Sequence, residues 1–122
     1  MRDFRELKVW ERSHRLTLAV YRATTAFPRE ELYGLTSQVR RSCAAVPANI
    51  AEGCGRDSNA DLARFLQMAL GSASELQYHL LLARDLSFLN PRDHERLTGE
   101  VIEIKRMLTS FIKNLRAFAK QT

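Results

Sequence analysis

The sequence predicts an all-α fold, an antiparallel up-down-up-down bundle of four helices with helix 2 kinked near Pro47. Three observations carry this. Every long apolar pattern recurs at helical spacing. Five glycines and three prolines are too few for the turns of a many-stranded protein. A chain of 122 residues supports one hydrophobic core, so the four helices are expected to form a single domain over 1–122.

Helix 1 is expected over about 5–26, before Phe27-Pro28. Advancing 100° per residue gives it three faces. Leu7, Trp10, His14, Leu18, Tyr21 and Thr25 form the expected core stripe. Val9, Leu16, Val20, Ala23 and Phe27 form a second apolar stripe on another side. Arg5, Lys8, Arg12, Arg15 and Arg22 lie between the two. Helix 2, about 34–53, carries Leu35, Val39, Val46 and Ile50, and Pro47 interrupts it. The missing N–H leaves the Cys43 carbonyl without its usual partner, which predicts a kink rather than two helices, because the apolar spacing stays in phase. Gly53 and Gly55 are expected to end it in the left-handed conformation.

Helix 3, about 59–87, opens at Ser58 with Asp61 three residues on, a capping-box pattern. Its core stripe is Leu62, Phe65, Leu66, Ala69, Ala73, Leu76, Leu80 and Ala83. Gly71 costs about 1 kcal/mol relative to alanine in a helix interior, and close packing of another helix is the expected compensation. Helix 4, about 91–119, starts with Asn90 as N-cap and Pro91 at the first helical position. Leu97, Val101, Ile104, Leu108, Phe111, Leu115 and Phe118 make a heptad seam.

Two helices carry more apolar surface than one small bundle can cover. Val9, Leu16, Val20 and Phe27 on helix 1, with Leu70, Tyr78, Leu81 and Leu82 on helix 3, are therefore expected to join copies of the chain into a homo-oligomer. Scattered exposed hydrophobes on a monomer are the alternative.

The composition, 45% hydrophobic and 27% charged, excludes a disordered chain. The net charge of +5 is +3 over 1–28, 0 over 29–57, −1 over 58–90 and +3 over 91–122. Both ends are thus basic, a distribution suited to phosphate-rich partners. On helix 4, Lys105, Arg106, Lys113, Arg116 and Lys120 fall within one arc, and no acid follows Lys105. The functional reading is a phosphate-contacting face, which would not read sequence. The alternatives are solubility and the preference of cations for a helix C-terminus. No aromatic residues interleave with this stripe for base stacking.

Motifs for catalysis and metal binding are weak. Gly53-Cys54-Gly55-Arg56 follows a helix and lacks the Gly-Lys-Ser/Thr ending of a phosphate loop. His14, His79 and His94 lie on separate helices without a carboxylate at metal-ligand spacing. Cys43 and Cys54, on one helix, are roughly 16 Å apart by helical rise, too far for a disulfide. No catalytic residue, cofactor or metal is expected, and the charged start MRDFRELKVW, with no apolar span, predicts a cytoplasmic chain without membrane contact.

Phe4-x-x-Leu7-x-Val9-Trp10, Phe27-Pro28, Glu31-x-Tyr33-Gly34-Leu35, Gln38-Val39-Arg40-Arg41 and the run Pro47 to Arg56 occur in this order. With Phe65-Leu66, Ala69 to Ser72 and Glu75-Leu76, they make the chain resemble the four-helix-bundle proteins encoded by intervening sequences of bacterial 23S ribosomal RNA genes. That family in turn resembles the accessory variability determinant proteins of diversity-generating retroelements. The resemblance implies a homopentamer, RNA or DNA binding on a basic surface and a reverse-transcriptase-like partner. Asn49, Glu52, Gly53, Gly55 and Arg56 match the family's run and are expected to shape the turn between helices 2 and 3. Arg40 and Arg41 match too, pairing with acids such as Glu52 or facing a ligand. The function expected is a non-enzymatic oligomeric bundle binding nucleic acid without sequence preference; the alternative is a protein-interaction scaffold or accessory subunit with no direct nucleic-acid contact.

Overall fold

The long helices are α1 (Lys8–Thr24), α2 (Leu35–Cys54), α3 (Asn59–Asp85) and α4 (Pro91–Gln121), with short 3₁₀ turns at Phe4–Glu6 and Arg29–Glu31. The computed structural model describes residues 2–121, with side chains through Phe118, and these residues are all helix, turn and connector. Each long helix packs on its neighbour in chain order, and α1 also packs against α4, which makes a four-helix bundle. Leu66, Leu76, Leu80, Leu97, Ile104, Leu108, Ile50 and Val20 are among the large side chains fully buried at its centre.

Local chemistry sets the starts of α3 and α4 as expected. Ser58 Oγ accepts the Asp61 N–H at 3.0 Å, and Asn90 Oδ1 accepts that of Asp93 at 2.8 Å. The other end of α2 is closed by the chain's own start, where the Arg2 N–H donates to the Cys54 carbonyl at 2.9 Å. Helix α2 runs as a single helix through Pro47.

All eight residues of the expected α3 stripe are buried. On α4 the seam holds from Leu97 to Leu115, except that Phe111 is half-buried, Ile112 is buried and Phe118 is 56% exposed. A strict heptad drifts about 20° per repeat against a straight helix, so after three repeats the buried line has moved off Phe118.

Helix 1 buries the stripe expected between copies, while of its expected core stripe only Leu7 and Trp10 pack on the core, half-buried, and the rest is exposed. Val9, Leu16, Val20 and Phe27, expected between copies, are buried within the protomer at 4%, 4%, 0% and 7% exposure. Leu18 and Tyr21, expected in the core, are 42% and 44% exposed, and His14 and Thr25 are exposed as well. The reason lies in two small polar residues on the buried face. Ser13 Oγ donates to the Trp10 carbonyl at 2.9 Å, and Thr24 Oγ1 to that of Val20 at 2.8 Å. Their hydroxyls are satisfied by their own helix, so they enter the core without the cost of an unpaired polar group. Leu7 is extended and lies outside α1, which starts three residues later than the expected boundary.

The glycines also differ from expectation. None has a positive φ; Ser87, in the α3–α4 turn, takes φ 64° instead. Gly53 is needed for close approach: a Cβ there would lie 2.8 Å from the Phe65 Cβ and 3.0 Å from the Leu62 Cδ1. Around Gly71 nothing lies within 4 Å of such a Cβ, so no helix of the same protomer uses the space. Gly53→Ala is therefore expected to destabilise, because overpacking of about 1–3 kcal/mol exceeds the roughly 1 kcal/mol gained in helix propensity. Gly71→Ala is expected to stabilise the protomer by up to about 1 kcal/mol. Urea denaturation of the two variants against the parent chain reads both signs.

Candidate nucleic-acid interface

Helix α4 lies between α1 and α3, and the cations expected to form two stripes are distributed over clefts on its two flanks. The α1/α4 cleft is lined by Lys8, Arg12, Arg15 and Arg96 around Glu100. The acid takes Arg12, whose Nη2 is 2.8 Å and Nε 2.9 Å from Glu100 Oε1, and Arg12 Nη1 approaches Met107 Sδ. Arg15 has a looser partner in Glu11 at 3.5 Å. Arg5 departs from the expected stripe because it belongs to the 3₁₀ turn. It binds Asp3 through Nε and Nη2, both at 3.1 Å, and this hydrogen bonding holds the Asp3 carboxyl below its usual range. Arg22 is exposed, and among the described residues neither it nor Lys8 has a carboxylate partner.

The α3/α4 flank is a groove. Its clefts share Gln67, Gln77, Thr109, Lys113 and Arg116, so they follow one another along the two helices. Ala63, Leu70, Ile112 and Leu115 contribute apolar lining, while Arg64, Lys105, Arg106, Lys113 and Arg116 supply the charge. Lys105 is anchored to Gln77 Oε1 at 3.0 Å, and Arg106 lies 3.5 Å from Glu103. Lys113 and Arg116 are exposed and have no acidic partner among the described residues. The Lys120 side chain lies outside the described residues.

Of the residues expected on the outer side of α3, Tyr78 and Leu81 are exposed at 58% and 38%. Leu70 and Leu82 are only half-exposed because they also pack on the core. Met68 is exposed beside them. Thr98 Oγ1, buried without a hydrogen-bond partner among the described residues, belongs to a residue lining the same cleft as Tyr78 and Leu81.

The run from Asn49 to Arg56 does more than shape a turn. Asn49 sits within α2 and its Nδ2 donates to the Ala45 carbonyl at 2.9 Å. Glu52 pairs with Arg56 at 3.2 Å, and the Arg56 guanidinium lies 4.9 Å from the Phe65 ring centre. Gly55 caps α2 with φ −80°, its N–H meeting the Ala51 and Glu52 carbonyls. Arg40 has no carboxylate among its contacts: Nε donates to Thr24 Oγ1 at 2.8 Å and the guanidinium lies over Tyr21.

Sequence reasoning missed one polar junction. His79, not His14, is the core histidine, at 7% exposure. Its Nδ1 lies 3.2 Å from Ser42 Oγ, which also approaches the Gln38 carbonyl at 2.9 Å, and Nε2 lies 3.8 Å from Glu75. When the hydroxyl proton goes to Gln38, His79 must carry its own on Nδ1 and donate. The pair ties α3 to α2, and no sequence spacing announces it because the partners are 37 residues apart.

Burial pushes the Cys43 thiol up from 9.0 to about 11, against a small opposing effect of the hydrogen bond to Thr17. The protonated thiol is the form the fold holds. Stability from this group is therefore complete below pH 9.0 and is lost as pH rises toward 11, approaching about 3 kcal/mol. Denaturation of the parent and of Cys43→Ala from pH 8 to 11 is expected to show a shallower decline in the variant. Burial also raises the Cys54 thiol, so the variant retains part of the slope.

Comparison with known proteins supplies the context for this surface. A family model described as 23S rRNA-intervening sequence protein matches residues 5–110. A crystal structure of a protein with unknown function from the S23 ribosomal protein family of Bacteroides thetaiotaomicron VPI-5482 superposes with a TM-score of 0.78 at 26% identity, covering 86% of this chain and 98% of that one. Among curated proteins none matches.

Proposed function

The chain belongs to the family of 23S rRNA-intervening sequence proteins, and from that premise we propose that it is a non-enzymatic, cytoplasmic, oligomeric bundle that holds nucleic acid by its phosphates without reading sequence. The observation that carries the proposal is the second half of α4. Lys113 and Arg116 lie along the α3/α4 groove without an acidic partner among the described residues, and the chain has no acid after Glu103. Such cations bind by displacing the counterions of a phosphate backbone, a contact with little base information. Mobility of structured RNA and duplex DNA in a gel at two salt concentrations tests it; migration of both unchanged by the protein at low salt would refute it.

The bundle in this proposal alternates up and down, as the short connections between helices favour, with α2 bending at Pro47. Oligomerisation in this proposal rests on α3, not on Val9, Leu16, Val20 and Phe27, which are buried within the protomer. Exposed Met68, Tyr78 and Leu81 and the unpartnered Thr98 hydroxyl support a second copy there. The specific form is the homopentamer implied by the family resemblance, which light scattering would register as five times 14.0 kDa. A monodisperse monomer would contradict it. A reverse-transcriptase-like partner rests on the resemblance alone.

The second reading is a protein-interaction scaffold. The apolar lining and cationic rim of the groove favour it, since they suit an acidic amphipathic helix. Binding to a protein and no retention of nucleic acid at low salt would select this reading.

A further inference from the structure

The outer side of α1 carries an aromatic row toward α2, and Arg15 and Arg22 follow about 100° round the helix on the side toward α4. Trp10 stacks on His14 with ring centres 5.0 Å apart and planes 8° from parallel, and Phe4 meets Trp10 at 4.8 Å. Trp10 is half-buried and His14 exposed, so the stack runs from the body of the protein to its surface. Further along, Tyr21 is 44% exposed, and the Arg40 guanidinium lies 4.8 Å from its ring centre. Trp10 and Tyr21 are about 16 Å apart along the helix by its rise. Lys8, Arg22 and Arg40 have no carboxylate partner among the described residues, and Arg15 has only the 3.5 Å contact to Glu11.

We propose that this face binds unpaired bases of a single-stranded nucleic acid: His14 extends the Trp10 stack onto one base, Tyr21 backed by Arg40 takes another, and Arg15 and Arg22, the next cations round the helix, contact the phosphates. The proposal rests on the nucleic-acid reading above and adds to it the place and the strandedness of the ligand. In a duplex the flat faces of the bases are covered by their neighbours, so an aromatic side chain can stack only on a base that has left the helix or was never in one. Aromatic stacking beside a cationic track is how proteins hold single strands with little sequence preference. A second copy of the chain is the other occupant to consider. The excess of positive charge along the row disfavours contact between two such faces and favours a polyanion.

Trp10 is the only tryptophan of the chain, so its fluorescence reports this face directly. A 15-nucleotide oligothymidine, an oligouridine of the same length and a 15-base-pair duplex are titrated at 50 mM salt. The single strands are expected to quench Trp10 and to bind at least about tenfold more tightly than the duplex. His14→Ala with Tyr21→Ala is expected to weaken single-strand binding by about tenfold or more, with duplex binding, helical circular dichroism and mass unchanged. Duplex bound as tightly as single strands with Trp10 emission constant overturns the stacking site and leaves the phosphate-binding reading standing. No binding of any oligonucleotide overturns both. A change of mass in the double variant assigns the face to contact between copies and overturns the proposal. Should the double variant lose its helical signal, the comparison of single strand with duplex on the parent chain decides alone.

Discussion

Leu16→Ala is expected to cost about 2–5 kcal/mol of stability, and Leu18→Ala, two residues on in the same helix, less than about 0.5 kcal/mol. Leu16 is 4% exposed within the core, whereas Leu18 is 42% exposed on the outer face. Truncating the first removes buried methyl groups and leaves a cavity between helices; truncating the second removes surface already in contact with water. Urea denaturation of both variants measures the pair. Equal losses, or a larger one for Leu18, would contradict the placement of α1.

This contrast marks where the sequence was readable. The start and core stripe of helix α3 were legible, because Leu62 to Ala83 form one apolar line and Ser58 with Asp61 marks its N-terminus, whereas its end came two residues before the expected 87. The α4 seam was legible up to the drift that carries Phe118 outward. Helix α1 offered two apolar faces of similar weight. Helical spacing alone did not choose between them, and the bundle buries the face that carries two hydroxyls bonded to their own helix. Whether Ser13 or Thr24 can be buried depends on a local hydrogen bond that hydropathy does not register. Gly53 and Gly71 look alike as letters, and only the distance to a neighbouring helix separates a required glycine from a replaceable one.

For the candidate site, the cations of α4 could be found as a stripe, but not which of them remain unneutralised. Glu100 captures Arg12 across 88 residues of chain, and Gln77 holds Lys105 across 28. The local pairs, Arg5 with Asp3, Arg15 with Glu11 and Arg106 with Glu103, lie within four residues and were open to sequence reasoning. The stacked Trp10 and His14 were visible as a helical pair, yet assigning both to the core hid the exposure of His14.

Lys113→Glu with Arg116→Glu is expected to weaken nucleic-acid binding by on the order of 100-fold at 50 mM salt and to reduce the salt slope by about two phosphate contacts. Both side chains are exposed and neither has an acidic partner among the described residues, so the stability of the fold is expected to change by less than about 0.5 kcal/mol for each. Lys105→Glu is a weaker choice because that lysine also bonds Gln77. Retention of RNA by the double variant at the level of the parent chain would remove α4 from the interface.

The most direct test of the central claim is the affinity of the parent chain for a fluorescent 20-nucleotide RNA, followed by anisotropy from 50 to 200 mM salt. Binding through several phosphate contacts predicts a linear fall of log affinity with log salt, amounting to at least about 100-fold across that range. Affinity that stays level over the titration, or no binding at 50 mM, would contradict it.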